Sequence, residues 1–142
     1  MAPHQKRLVQ GSFAQIVPIA DTVAALFYAT LFELDPSLLA LFTSDVTEQG
    51  RKLMRMLAVA VGGLDYLEVL VPVIRSLGQR HASYGVRDDD YEAGAVALLT
   101  ALEAGLGAAF TAEVREAWTM GYWLLADTMK AGAAGGVSTK SA

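Results

Sequence analysis

Leu77-Gly78-Gln79-Arg80-His81-Ala82-Ser83-Tyr84-Gly85-Val86 carries the one histidine that lies away from the chain's N-terminal end. His81 follows Val73 and Leu77 at four-residue spacing, so on a helix it projects from the same apolar face. Pro72 is expected to introduce that helix and Gly85 to stop it. Two readings of His81 are open at this point. One is an interior imidazole satisfied by a backbone carbonyl, or one at a helix end facing water. The other is a ligand or catalytic group. A protein-only zinc site is excluded, because the chain has no cysteine and His4, the only other histidine, lies in a terminal stretch. A Ser–His–Asp triad would have to recruit Ser83 or Asp88, and no nucleophile-elbow sequence occurs anywhere.

Outward from this segment the chain reads as a helical domain. It has 142 residues, 54% of them hydrophobic and 18% charged, with a mean hydropathy of +0.36. Such a composition excludes a disordered chain, and it leaves apolar surface beyond what closing a small core requires. Ala and Leu dominate, and no Asn-Gly or Asp-Gly hairpin signal is present, so the fold class is all-α. The expected organisation is one domain, 1–142, with a flexible tail from about Gly132. Pro18 divides a first helix, about Gln5 to Val17, from a second, about Ile19 to Leu34. Asp35-Pro36 opens a short helical turn through Leu41. Ser44 or Asp45 caps the next helix, which Gly62-Gly63 ends. Asp88 is expected to cap a long helix through Leu106, and Thr111 the last one. Roughly seven helices of unequal length do not make an up-down bundle.

The absence of cysteine also removes disulfides, iron–sulfur clusters and thiol catalysis. A net charge of −4 argues against a nucleic-acid partner. Apolar runs such as Leu57–Val61 and Val69–Ile74 read as too short to span a bilayer, and Met1–Gln10 does not resemble a signal peptide. A cytoplasmic protein with no membrane partner is the expectation. One metal chemistry does work with a single protein nitrogen. In haem the porphyrin supplies four ligands and one imidazole completes the proximal side. A large apolar disc would also occupy the surplus of inward-facing side chains.

The residues around His81 are similar to the proximal helix and following corner of globins, nearest to bacterial single-domain haemoglobins and neuroglobin-like proteins. Four further segments fall in the same order. Leu26-Phe27-Tyr28 resembles the second-helix position facing the ligand. Leu41-Phe42, seven residues before Gln49, resembles the corner that presses a phenylalanine on the haem. Phe110-Thr111 followed by Ala117-Trp118 resembles the entry to the last helix. The similarity runs from about Leu8 to Met129.

It implies a globin fold of about seven to eight helices around a haem pocket, with haem b and its iron as cofactor. By position, His81 is implied as the iron ligand. Phe42, Leu53, Val86 and Tyr91 are implied as the pocket lining, and Tyr28 and Gln49 as the ligand-facing pair. Lys52 and Arg80 are placed to reach the haem propionates, or are solvated surface charges. Position 49 is glutamine where many neuroglobin-like members carry an iron-binding histidine, which implies an open or water-bound sixth site. Ala133 falls where flavohaemoglobin-type proteins carry a glutamate against the proximal histidine, and the expectation is a chain without a reductase domain of its own. The implied partners are dioxygen, NO and CO. The implied function is reversible oxygen binding, storage or delivery. Nitric oxide dioxygenation with a separate reductase is the alternative, and a haem-free helical sensor is the third class.

Overall fold

The computed structural model describes residues 1–42 and 45–141, with side chains through residue 134. Among the described residues there are six α-helices and no strand. They are α1 (Pro3–Ile16), α2 (Ala20–Leu34), α3 (Val46–Gly62), α4 (Leu67–Ser83), α5 (Asp90–Leu106) and α6 (Ala112–Ser141). Short 3-10 turns at Val17–Ile19, Pro36–Leu41, Gly63–Asp65 and Gly107–Ala109 join several of them. The short element expected at Asp35–Leu41 is therefore a 3-10 turn, opened by the Asp35 carboxylate accepting the Ser37 N–H at 3.1 Å.

Caps explain most of the remaining boundaries. Asp45 accepts the Thr47 N–H at 3.0 Å at the start of α3. Thr111 accepts the Val114 N–H at 3.2 Å at the start of α6. Three expectations need correction. Pro72 lies inside α4, which begins a turn and a half earlier; Glu68 in its first turn suits the helix N-terminus. Asp88 is not the cap of α5. The Asp90 carboxylate instead accepts the Arg87 N–H at 2.8 Å, and Asp90 itself is the first helical residue. Val73 is 49% exposed, so the inward face of α4 is Leu70, Ile74, Leu77, Gly78 and His81. In addition, α6 continues as helix through the stretch from Gly132 that reads as a frayed end.

The main core joins α1, α2, α3, α5 and α6 through side chains such as Phe13, Ile16, Val23, Leu57, Leu102 and Trp118. Buried Trp118 is satisfied by donating its indole N–H to Ser12 Oγ at 2.8 Å. Pro3–Leu34 and Asp90–Ala109 are each long and apolar enough to cross a membrane by length and composition, longer than the runs identified in the sequence. The first is interrupted by the 3-10 turn at Pro18, and the second sinks Ala97, Ala101 and Leu102 into the protein interior.

The α4–α6 crossing positions the segment that opened the sequence reading. Gly78 packs directly on the Met129 backbone and Gly132 on that of Arg75, where an added Cβ has no room in either case. Two glycines thus let the helix axes approach closely. Gly78→Ala is expected to force the helices apart and destabilise the fold by about 1–3 kcal/mol. A lowered urea midpoint with an unchanged m-value would register it.

Candidate cofactor pocket

Side chains from α2 to α6 enclose one cavity of about 710 Å3, within the ~300–1,000 Å3 typical of small-molecule sites. All seven positions implied as site residues line it: Tyr28, Phe42, Gln49, Leu53, His81, Val86 and Tyr91. Lys52 and Arg80 line it too, as exposed side chains at its edge, together with Arg55, a third cation that the sequence reading did not include.

His81 is placed by the way α4 ends. Gly85 adopts φ +99°, open to glycine at little cost. The Gly85 N–H then reaches the Ala82 carbonyl at 3.1 Å and the Val86 N–H reaches the His81 carbonyl at 3.0 Å. This Schellman arrangement satisfies the helix end and fixes Val86 against the histidine. The His81 ring nitrogen Nδ1 lies 2.9 Å from the Leu77 carbonyl oxygen. A carbonyl only accepts, so Nδ1 carries the proton and Nε2 keeps its lone pair.

Burial lowers the His81 pKa below its ordinary value. The hydrogen bond to Leu77 opposes that shift, and the neighbouring Arg80 charge adds to it. The folded protein therefore prefers the neutral ring more than the unfolded chain does. This contribution to stability is complete above the unfolded pKa of 6.5. It is lost as pH falls from there toward the lowered folded value. Urea titrations of the cofactor-free protein are expected to show this acid-side slope. The same slope should be absent from His81→Gln.

The second half of the cavity is aromatic. Tyr28 packs edge-on against Phe42, with ring centroids 5.3 Å apart, and stacks on Phe32 at 5.9 Å. Its hydroxyl donates to the Gln49 backbone carbonyl at 3.3 Å, longer than the ~2.7–2.8 Å usual between oxygens. Burial pushes the Tyr28 pKa up to about 12, so the phenol keeps its proton and remains a donor. Leu53 and Gln49 are half-buried on α3.

Tyr91 points its hydroxyl at Met129 Sδ, 3.6 Å away, and its backbone carbonyl accepts from the Tyr122 hydroxyl at 2.6 Å. Met129 is one of the inward residues expected of the last helix, with Val114, Trp118 and Leu125, whereas Tyr122 was missed although it continues the Trp118 helical period. Gly94 leaves the room that Tyr122 occupies, since a Cβ there would sit 2.5 Å from its hydroxyl oxygen. Lys130 lies 5.6 Å over the Tyr91 ring and 5.2 Å over that of Trp123.

A helical shell around an apolar cavity, with one imidazole held in a single tautomer, defines a pocket suited to a metal macrocycle that needs one protein ligand. Residues 25–129 match the sequence model of the Globin family. The chain belongs to the globin family, and haem is the group that this family implies. The donor set fits it, since His81 offers one neutral nitrogen among aromatic and aliphatic walls.

Relatives include a flavohemoprotein of Xylella fastidiosa (strain Temecula1 / ATCC 700964), 30% identical over 132 residues. That match covers 91% of this chain and 33% of the flavohemoprotein. The chain thus spans about a third of that relative's length. Neuroglobin of Tetraodon nigroviridis is 29% identical over 146 residues, covering 93% of this chain and 92% of the neuroglobin. Among solved structures, an engineered carbene transferase derived from a candidate nitric oxide dioxygenase of Rhodothermus marinus superposes with a TM-score of 0.89. It shares 24% identity and covers 100% of this chain and 99% of its own. A hexacoordinated haem protein from an anhydrobiotic tardigrade gives a TM-score of 0.85 at 16% identity, covering 94% of this chain and 95% of its own. At those identities the two structures speak to fold.

Proposed function

We propose that the protein is a cytoplasmic haem b globin that binds dioxygen reversibly, for storage or delivery. When bound, haem would supply an iron that takes a diatomic gas: dioxygen, NO or CO. His81 Nε2 would hold the iron, Phe42, Leu53, Val86 and Tyr91 would line the macrocycle, and Lys52 and Arg80 would offer charges to its carboxylates. Tyr28 and the Gln49 side-chain amide are donors in a dry pocket, where a hydrogen bond to a partly negative ligand is worth more than in water.

The observation that carries this reading is the His81 Nδ1 contact with the Leu77 backbone carbonyl, inside the same cavity as the Tyr28 hydroxyl. A neutral carbonyl draws less proton density from the ring than a carboxylate would, so the imidazole remains a moderate donor. Ala133 stands where a glutamate would have supplied the stronger pull. Moderate donation suits holding a gas and releasing it intact.

Nitric oxide dioxygenation with a separate reductase is the second reading, favoured by the match to one third of a flavohemoprotein. The absorption spectrum of the purified protein, followed by oxygen-release kinetics, tests the first reading. A missing Soret band in protein expressed with ample haem would sink it and leave a haem-free helical module. Nitric oxide consumption that is sustained only with an added reductase and NADH would favour the second.

A further inference from the structure

The Lys130 side chain is half-buried on α6, and its ammonium lies over two rings at once, 5.6 Å from the centroid of Tyr91 and 5.2 Å from that of Trp123. The two rings are themselves tied together. Trp123 meets Tyr122 edge-on with centroids 5.4 Å apart, and the Tyr122 hydroxyl donates to the Tyr91 backbone carbonyl at 2.6 Å. The contacts run in a closed circuit between α5 and α6, with the ammonium as one member. Fixing a lysine costs it rotamer freedom, and attraction to two ring faces offsets that cost. The charge is therefore held in one place.

Tyr91, Tyr122 and Met129 line the cavity, which puts the ammonium one ring away from it. Among the described residues Lys130 takes part in no ion pair. The acidic groups nearby do not cancel its charge. Burial raises the Tyr91 phenol pKa, and the Asp88 and Asp90 carboxylates raise it further. Asp90 is already paired with Arg87 at 3.3 Å. Asp88, and Asp127 just before Lys130 on α6, are exposed, where solvent and salt screen them. On the other side of the balance, Lys52 and Arg80 would face the carboxylates of the bound group. Lys130 is thus a half-buried cation of this wall with no counter-ion of its own.

We infer that Lys130 tunes the redox balance of the bound group: its ammonium, held on Tyr91 and Trp123, favours the ferrous over the ferric state. The inference rests on the haem reading given above. Ferric haem carries one more positive charge than ferrous haem, so a fixed cation nearby disfavours the ferric form. Dioxygen is taken up by the ferrous form alone, so the charge acts in the direction that an oxygen-binding protein needs. An apolar cavity transmits such a field better than water does, and one unit charge at a half-buried position changes the ferrous-to-ferric ratio about three- to tenfold. A lysine that only tied α6 to α5 would leave that ratio where it is.

Spectroelectrochemical titration of the haem-loaded full chain tests this. Lys130→Met removes the charge and keeps a long apolar stem. It is expected to lower the midpoint potential by about 30–60 mV, which is the three- to tenfold change at 59 mV per tenfold for one electron. Lys130→Glu should lower it further. Lys130→Arg keeps a cation over the two rings and should retain most of the original value. A midpoint potential in Lys130→Met equal to that of the unmodified protein would overturn the inference and leave the haem reading standing. So would a Lys130→Arg potential as low as that of Lys130→Met, since it would trace the effect to packing and not to charge. An unmodified chain that never shows a Soret band would remove the haem reading itself, and the inference with it.

Discussion

His81→Ala is expected to abolish stable haem incorporation: purified protein should lack the Soret band that the unmodified chain shows. Among the described residues the imidazole is the only one that lines the cavity, so no neighbouring side chain can replace it. Loss of the iron bond would leave only the apolar walls and the charges of Lys52 and Arg80 at the edge to hold the group. The fold itself should persist, because the α4–α6 crossing depends on Gly78 and Gly132 and not on the half-buried ring. His81→Gly supplemented with free imidazole separates the possibilities. Recovery of the band would show that the pocket is intact and lacks only its ligand. A His81→Ala variant with a normal haem spectrum, by contrast, removes His81 from the proximal role.

Helix content was legible in the sequence because it depends on local signals, whereas the pocket positions came from the resemblance to globins and from no local signal. Asp45 and Thr111 act as caps within their own turns, and Gly85 terminates α4 by a conformation that few other residues adopt. Asp88 looked equally good as a cap. It lost that role because the chain between Gly85 and Asp90 turns so that the Asp90 carboxylate meets the Arg87 backbone instead. Pro72 illustrates a different failure. A proline tolerated in a helix costs one hydrogen bond and a steric adjustment, and tertiary burial of Leu70 and Ile74 on either side offsets that cost.

Tyr122 and Gly94 were illegible for a third reason. Their contact joins α5 to α6 across 28 positions of sequence, and no periodicity within either helix encodes it. The tautomer of His81 was likewise beyond the sequence, although a carbonyl four residues upstream is where a helical side chain can reach. What the residues around His81 did convey was the kind of site: one nitrogen, apolar walls, and few polar groups.

Tyr28→Phe is expected to raise the oxygen dissociation rate about five- to a hundredfold, the range corresponding to one lost hydrogen bond of ~1–3 kcal/mol. The structure adds a constraint on where in that range the result falls. In it the Tyr28 hydroxyl donates to the Gln49 backbone carbonyl at 3.3 Å, a long contact that a ligand carrying negative charge can outcompete. Turning the hydroxyl toward such a ligand costs that bond, so the net gain is the difference between a charge-assisted contact and a stretched neutral one. The high pKa of about 12 means that the proton remains on Tyr28 throughout the physiological range, and the effect should be flat from pH 6 to 9. Substitution by phenylalanine keeps the rings of Phe27, Phe32 and Phe42 in contact, so the change isolates the hydroxyl. Stopped-flow oxygen release against a competing ligand measures it. Rates equal to those of the unmodified protein would show that the hydroxyl stays with the Gln49 carbonyl when the pocket is occupied, and the donor role would then fall to the Gln49 side chain alone.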